Sequence, residues 1–581
     1  MNSHFIQEAS EACFNGCCSS PFSSQSVTQK PEEELEFSVI TSGASFLTRE
    51  IKFTSQESLP PLRTSFYDLI TAFPDYLQTT QADHLRSTDY QNLSSSSSHH
   101  VLLNHTAQQQ PLFSYSQFRQ ISESKPDSNP SLFTLSRKQV SSGKELLSLA
   151  SEESRFQSTM RKRIMRFMNL EESEYHMILT QDRSSAFKLL AELYSFKTNS
   201  SLLTVYNYED EAVEEMMRIT EKKGIKPESA EFSWPSTEIV SEKLKRKLAR
   251  GKRRRGKEDN KKRGLFVFPL QSLVTGASYS YSWMSLAHEN EWHVLLDTSA
   301  LGSKDMETLG LSLFQPDFLI CSFTEVLGQD DPCNSGFGCL FVKKSSSQAL
   351  SEESELITNP ANLTAVKAEP AWMMITGNDE NTLEKVSLDH VEDHNKASTS
   401  ATDVIEIEQE EDGNAIIEFR GLDDADSLGI ILISRRSKLL TLWLVRALTS
   451  LQHPGFHQTE MPLVKICGPK TRQNRGPSVS FNIFDWQGEK VDPMMVERLA
   501  VREKIGLRCA YLQKIRIGKG GKRGSDERRN LSLRVSVVSV RIGFMTNFDD
   551  VFRVWGFVSR FLDADFVEKE KWRMKALEKN K

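Results

Sequence analysis

The sequence contains no apolar run approaching the roughly 20 residues that a membrane-spanning helix needs, so no stretch reads as a transmembrane segment. Its N-terminus, MNSHFIQEAS, lacks a basic stretch followed by an apolar one, which argues against secretion. Cysteine is sparse: eight in 581 residues, without regular spacing, fit a reducing intracellular, cytoplasmic setting better than a disulfide framework. Cys13, Cys17 and Cys18 cluster near the start, but no Cys/His pair follows at zinc spacing, so no metal site is read. Charge of one sign is also in short supply. A formal net charge of −6 is too small at this length to imply a nucleic-acid or membrane partner. What is present, 38% hydrophobic and 26% charged, is ordinary for a chain long enough to hold several domains.

The organising stretch is Gly264 to Lys344. Leu265-Phe266-Val267-Phe268-Pro269 is a short apolar run stopped by proline, as a buried strand should be. Ser278 to Asn290 carries Trp283, Leu286 and Ala287 at helical spacing. Trp292 to Leu296, Pro316 to Phe323 and Gly336 to Val342 are further apolar strands, the first ending in Asp297. Strands alternating with helices and buried on both faces predict a mostly parallel α/β sheet. Ligands of such sheets sit at the carboxyl ends of strands, which singles out Asp297 and the segment Ser322-Phe323-Thr324-Glu325, read as a strand-end turn.

FPLQSLVTG, WHVLLDTSALG, PDFLICSFTEVLG and GFGCLFVKK, in this order and spacing, resemble the molybdenum cofactor sulfurase family, and most closely its plant sulfurase-like paralogues. The N-terminal cysteine cluster resembles those paralogues too. The resemblance implies the class V aminotransferase and cysteine desulfurase branch of the fold-type I pyridoxal phosphate enzymes. It therefore implies an α/β large domain with a mostly parallel sheet, a smaller α+β C-terminal domain, pyridoxal phosphate as cofactor, and a homodimer. Its residue-by-residue implications are mixed. Asp297 matches the aspartate that pairs with the pyridinium nitrogen, Gln271 the group that reaches the pyridoxal hydroxyl, and Ser322 a serine that touches phosphate. Tyr208 stands near a ring-stacking histidine. Ser184 and Ser185 open the helix whose N-terminus would cradle phosphate.

The departures fall on the chemistry. The family's Ser-Phe-Tyr-Lys carries the Schiff-base lysine, and here that position is Glu325, which cannot form an aldimine. The glycine of the phosphate turn is Asp182, with Arg183 beside it to offset the charge, or the turn is an ordinary helix start capped by Asp182 or Ser184. The persulfide cysteine position holds Tyr511 and a later cysteine position Gln513, with Cys509 out of register. The carboxylate-binding arginine is Ser539, and Arg541 lies two residues on, on the same strand face, able to stand in as a substrate-binding group or to be structural.

Along the rest of the chain the expected divisions are these. Residues 1–60 form a disordered N-terminal segment, and 61–343 the large domain, in which the Leu77, His84-Leu85 and Tyr90 pattern marks a packed helical arm. Leu102 to Thr106 resembles the opening strand of the family's large domain. The basic run Lys243 to Arg263 reads as a solvated insertion at 243–263 or a nuclear-import signal. It has no aromatics to stack bases, which counts against nucleic acid. An acidic insertion without periodicity fills 344–413. A return segment and linking helix occupy 414–455, the small α+β domain 456–566, and a charged tail 567–581. Three functional readings stand: a pseudoenzyme acting as a binding or regulatory protein, an active sulfurtransferase or desulfurase using another lysine such as Lys304, and a nuclear or nucleic-acid module acting through the basic run.

Overall fold

The computed structural model describes residues 51–93, 101, 110–123, 133–149, 154–196, 201–249, 263–301, 304–327, 336–352, 355–365, 418–454, 461–469, 475–516 and 533–579. The cysteine cluster, the Leu102–Thr106 strand expectation, most of the basic run and most of the acidic insertion lie outside these residues.

Gly264–Pro269, buried at every position, is the middle of an eight-stranded sheet. It pairs in parallel with Ser201–Thr204 on one side and His293–Asp297 on the other. The latter pairs in parallel with Phe318–Val326, which meets the antiparallel strand Gly336–Lys343 and, beyond that, Tyr175–Thr180. Strands covered on both faces need no alternation of polar and apolar residues, and these have none. A strand not anticipated, Gln110–Phe113, pairs in parallel with the far end of Phe318–Val326. That pairing corrects one expectation: Ser322-Phe323-Thr324-Glu325 is no turn but part of a nine-residue strand buried throughout.

A second core forms around the smaller C-terminal domain, whose sheet joins Val464–Cys467, Ser478–Ile483, Leu533–Arg541 and Arg508–Arg516. The helix Arg420–Thr449 links the two, interrupted at Gly429, whose φ of 76° suits glycine. The helical arm is present, and its packed face is the expected one in part, with Tyr90 buried and Leu85 packed against the core. Tyr76, Ala82, Arg86 and Tyr90 are buried, whereas Leu77 is 48% exposed. Leu69, Ala72 and Tyr76 also join the second core, so residues 62–79 pack with the small domain and not with the large one.

The acidic insertion starts later than the composition suggests. Lys344–Ala349 is a 3₁₀ helix, and Ala361–Ala365 pairs antiparallel with Phe133–Arg137. Lys243 to Ala249 of the basic run likewise belongs to the helix Ser241–Ala249, with Leu244 and Leu248 buried. Among the described residues no helix is long and apolar enough to cross a membrane.

Where the arm meets the linking helix, the Tyr90 hydroxyl donates to Asp424 at 2.9 Å. Burial, with the neighbouring charges of Asp89 and Asp423, pushes the Asp424 carboxyl up to about 6. A carboxyl raised in the fold favours its protonated form, so its contribution to stability declines as pH rises from its ordinary value of 3.8 to about 6. Asp424→Asn should therefore gain on the parent across that interval and hold a constant advantage above it. Urea midpoints from pH 4 to pH 7 check this, and parallel curves would refute it.

Candidate functional site

The carboxyl end of His293–Asp297 places Asp297 in the interior, 1% exposed. Its carboxylate accepts from the Ser299 amide at 3.0 Å and hydroxyl at 2.5 Å, and from the Tyr206 hydroxyl at 2.9 Å. It also accepts from Arg183, whose Nη2 lies 2.6 Å from Oδ2. The Arg183 Nη1 donates to Asp210 at 3.0 Å. Asp210 in turn caps the helix Glu211–Lys222 through the Val213 amide. Burial alone would raise the Asp297 carboxyl and lower the Arg183 guanidinium. Their mutual attraction overrides it, holding the carboxyl below the usual carboxylate range and the guanidinium above its own.

Arg183 reaches this position because Asp182 is the N-cap of the helix Arg183–Leu193, accepting from the Ser185 amide at 2.6 Å. Asp182 is thus the cap, and Ser184 is left exposed. Gly338 holds the neighbouring strand against this turn; a Cβ there would collide with the Asp182 carbonyl.

The other residues singled out in the sequence are dispersed. Tyr208 is buried edge-on to Tyr206, ring centroids 5.7 Å apart. Burial and the nearby charges of Asp210 and Asp297 keep its hydroxyl protonated. Ser322 and Glu325 are both buried, but in a straight strand they project from opposite faces. They do not converge on one ligand. Gln271 donates to Asp305 at 3.3 Å. Lys304 is committed to Asp426 at 2.5 Å and to the Phe167 carbonyl at 3.2 Å. Tyr511 and Gln513 lie on the strand Arg508–Arg516, where a loop was expected from the resemblance, and Gln513 donates to the Tyr208 carbonyl at 2.9 Å. Cys509 is half-buried on the same strand, with a thiol that burial pushes up, so it is neither core nor an activated thiolate.

Arg541 is buried and donates from Nη2 to the Ala300 carbonyl, while its Nη1 has no partner among the described residues. Arg475, in the same small domain, donates from Nη1 to the Ser478 carbonyl at 3.2 Å, and its Nε and Nη2 have no partner among the described residues. Burial pushes both guanidinium groups down to about 10. Arg541 is a buried cation and Arg475 a half-buried one, each with unspent donors, a chemistry that suits an anion. Among the described residues no group of three or more His, Cys, Asp or Glu side chains could hold a metal ion.

Sequence reasoning missed Asp210, Tyr206, Ser299 and Arg475. Asp210 carries a helix-cap signal, but nothing in the sequence brings it to Asp297. Arg475 follows a stretch of ordinary loop composition.

These residues do not fit pyridoxal phosphate as they are arranged. The position that the sequence resemblance implies for the Schiff-base amine is the carboxylate of Glu325. Asp297 has its acceptor positions taken by Arg183, Tyr206 and Ser299. A third carboxylate, Asp182, caps the helix start where the sequence resemblance implies phosphate.

The chain is a mixed α/β protein with a large, mostly parallel sheet and a smaller α+β domain, the fold class implied by the sequence resemblance. In sequence it is similar to the molybdenum cofactor sulfurases. It is 22% identical over 436 residues to the molybdenum cofactor sulfurase of Aspergillus niger, covering 71% of this chain and 47% of that protein. It is 27% identical over 199 residues to molybdenum cofactor sulfurase 3 of Aedes aegypti, covering 33% of this chain and 23% of that one. The chain thus spans about half or less of the length of these relatives. No family model matches it. Among solved structures, the cysteine desulfurase of Thermococcus onnurineus aligns at 16% identity with a TM-score of 0.43, covering 71% of this chain and 85% of that one. The cysteine desulfurase CsdA of Escherichia coli aligns at 12% with a TM-score of 0.40, covering 72% and 91%.

Proposed function

We propose that this chain is a sulfurase-like protein that has given up aldimine chemistry and acts as a binding or regulatory protein. The observation that carries the reading is Glu325: at the position implied for the lysine stands a buried carboxylate, in a strand, with no amine to condense with an aldehyde. The engagement of Lys304 by Asp426 and Phe167 speaks against a substitute amine from that quarter. Binding capacity survives at the domain seam, where the unspent donors of Arg475 and Arg541 suit a small anion.

Borohydride reduction after incubation with pyridoxal phosphate tests the reading. No stoichiometric pyridoxyl adduct is expected on any lysine by peptide mass analysis, and one adduct per chain would overturn the proposal. Glu325→Lys alone should not release sulfide from cysteine. Asp297 remains held by Arg183, Ser539 spends its hydroxyl on the Val274 carbonyl, and Tyr511 offers no thiolate. Groups that act as a unit fail together, so restoring one gives little turnover. A cofactor-dependent rate well above that of the parent would refute this.

A further inference from the structure

Arg183 has the wrong sign for its place on its own helix. It is the first residue of Arg183–Leu193, where exposed backbone N–H groups and the helix dipole favour anions. Its guanidinium nevertheless turns inward and is only 12% exposed. One edge meets Asp297 at 2.6 Å and another meets Asp210 at 3.0 Å. Its carbon lies 4.8 Å from the centroid of the Phe187 ring. Tyr206 completes the surround by donating to the same Asp297 oxygen. Two buried carboxylates that accept forked N–H donors, beside an aromatic face, are the recognition set for a planar cation.

We propose that this pocket is a guanidinium site filled in cis. Asp297, Asp210 and Phe187 form the receptor, and Arg183 is its resident ligand, standing where the sequence resemblance implies a cofactor ring. A pyridinium nitrogen could reach Asp297 only by displacing a guanidinium that already satisfies two carboxylates. The proposal is independent of Glu325, because a lysine at that position would leave the occupant in place.

The test is Arg183→Ala in the full chain. Its melting midpoint should fall by about 5 °C or more, since a buried pair has lost one partner. Methylguanidinium chloride at about 10 mM should recover at least half of that loss by binding the vacated site. Equal sodium chloride or tetramethylammonium chloride, which cannot donate in a fork, should not. Arg183→Lys keeps the charge without the fork and should fall between parent and Ala. Pyridoxal phosphate should leave the parent's absorbance spectrum equal to the sum of the separate components. An Ala variant melting within about 1 °C of the parent would overturn the proposal, as would recovery equally good with tetramethylammonium. If the Ala variant does not fold in buffer, it must fold with methylguanidinium present, and a Lys variant as stable as the parent would sink the forked geometry. One-to-one uptake of pyridoxal phosphate by the parent would show that Arg183 is no fixed occupant.

Discussion

Replacing Ser345 to Ala365 with a short flexible linker should lower stability by roughly 5 kcal/mol or more, taking about 1.5–3 kcal/mol for each large apolar side chain exposed. Leu350, Ile357 and Leu363 are all buried in this segment, with Ala349 and Ala361 beside them. Its backbone is bound as tightly as its side chains. Ile357 and Val140 exchange both amide-to-carbonyl bonds, Ser351 donates to the Leu193 carbonyl, and Leu363 donates to the Gln157 side chain. The composition of the acidic region suggests that all of it can be removed without consequence. The structure argues the opposite for this first part. Urea unfolding of the linker variant against the parent decides it, and a loss under about 1 kcal/mol would mean these contacts are dispensable.

Arg86→Ala should cost roughly 3–5 kcal/mol, the range for removing one partner of a buried ion pair. The Arg86 and Asp550 side chains are 6% and 3% exposed and bond directly. Arg86 also donates to the carbonyls of Met545 and Leu93, each at 3.0 Å. Asp550 completes a capping box with Asn547 at the start of the helix Phe548–Ser559. The truncation therefore strands a buried carboxylate and two carbonyls together. The control is the cycle of Arg86→Met, Asp550→Asn and their double variant, which removes the charge along with its partner and should recover part of the loss. A double variant as unstable as the sum of the singles would show that the pair has no coupling.

The strands that sequence alone located well are those covered on both faces. Gly264–Pro269 and His293–Asp297 fall where their apolar runs begin and end, within a residue. Helices with a cap signal were also legible, as at Asp182, whose side chain accepts from the Ser185 amide. What escaped were elements whose partners come from far along the chain. Gln110–Phe113 is too short and contains a proline, and only its pairing with Phe318–Val326 makes it a strand. Arg508–Arg516 carries charges on half-buried positions and looks like loop in isolation. The site suffered most. Asp297 stands out at a strand end, but a basic residue beside a helix cap reads as surface. Only the fold brings Asp297 and Asp210 within reach of Arg183.

The strand Arg508–Arg516 has a mechanical consequence. Its Ile515 and Arg516 pair with Phe232 and Ser233 of the large domain. Upstream on the same strand, the Tyr511 carbonyl accepts from the Glu209 amide at 2.8 Å, and the Gln513 amide donates to the Asn207 carbonyl at 2.9 Å. Main-chain bonds of this kind leave no swivel between the two bodies, because rotating one against the other would tear a sheet. The domains share a suture and not a hinge. Amide deuteration at Glu209 and Gln513 then keeps pace with the core strands on either side, and heat melts both bodies in one step.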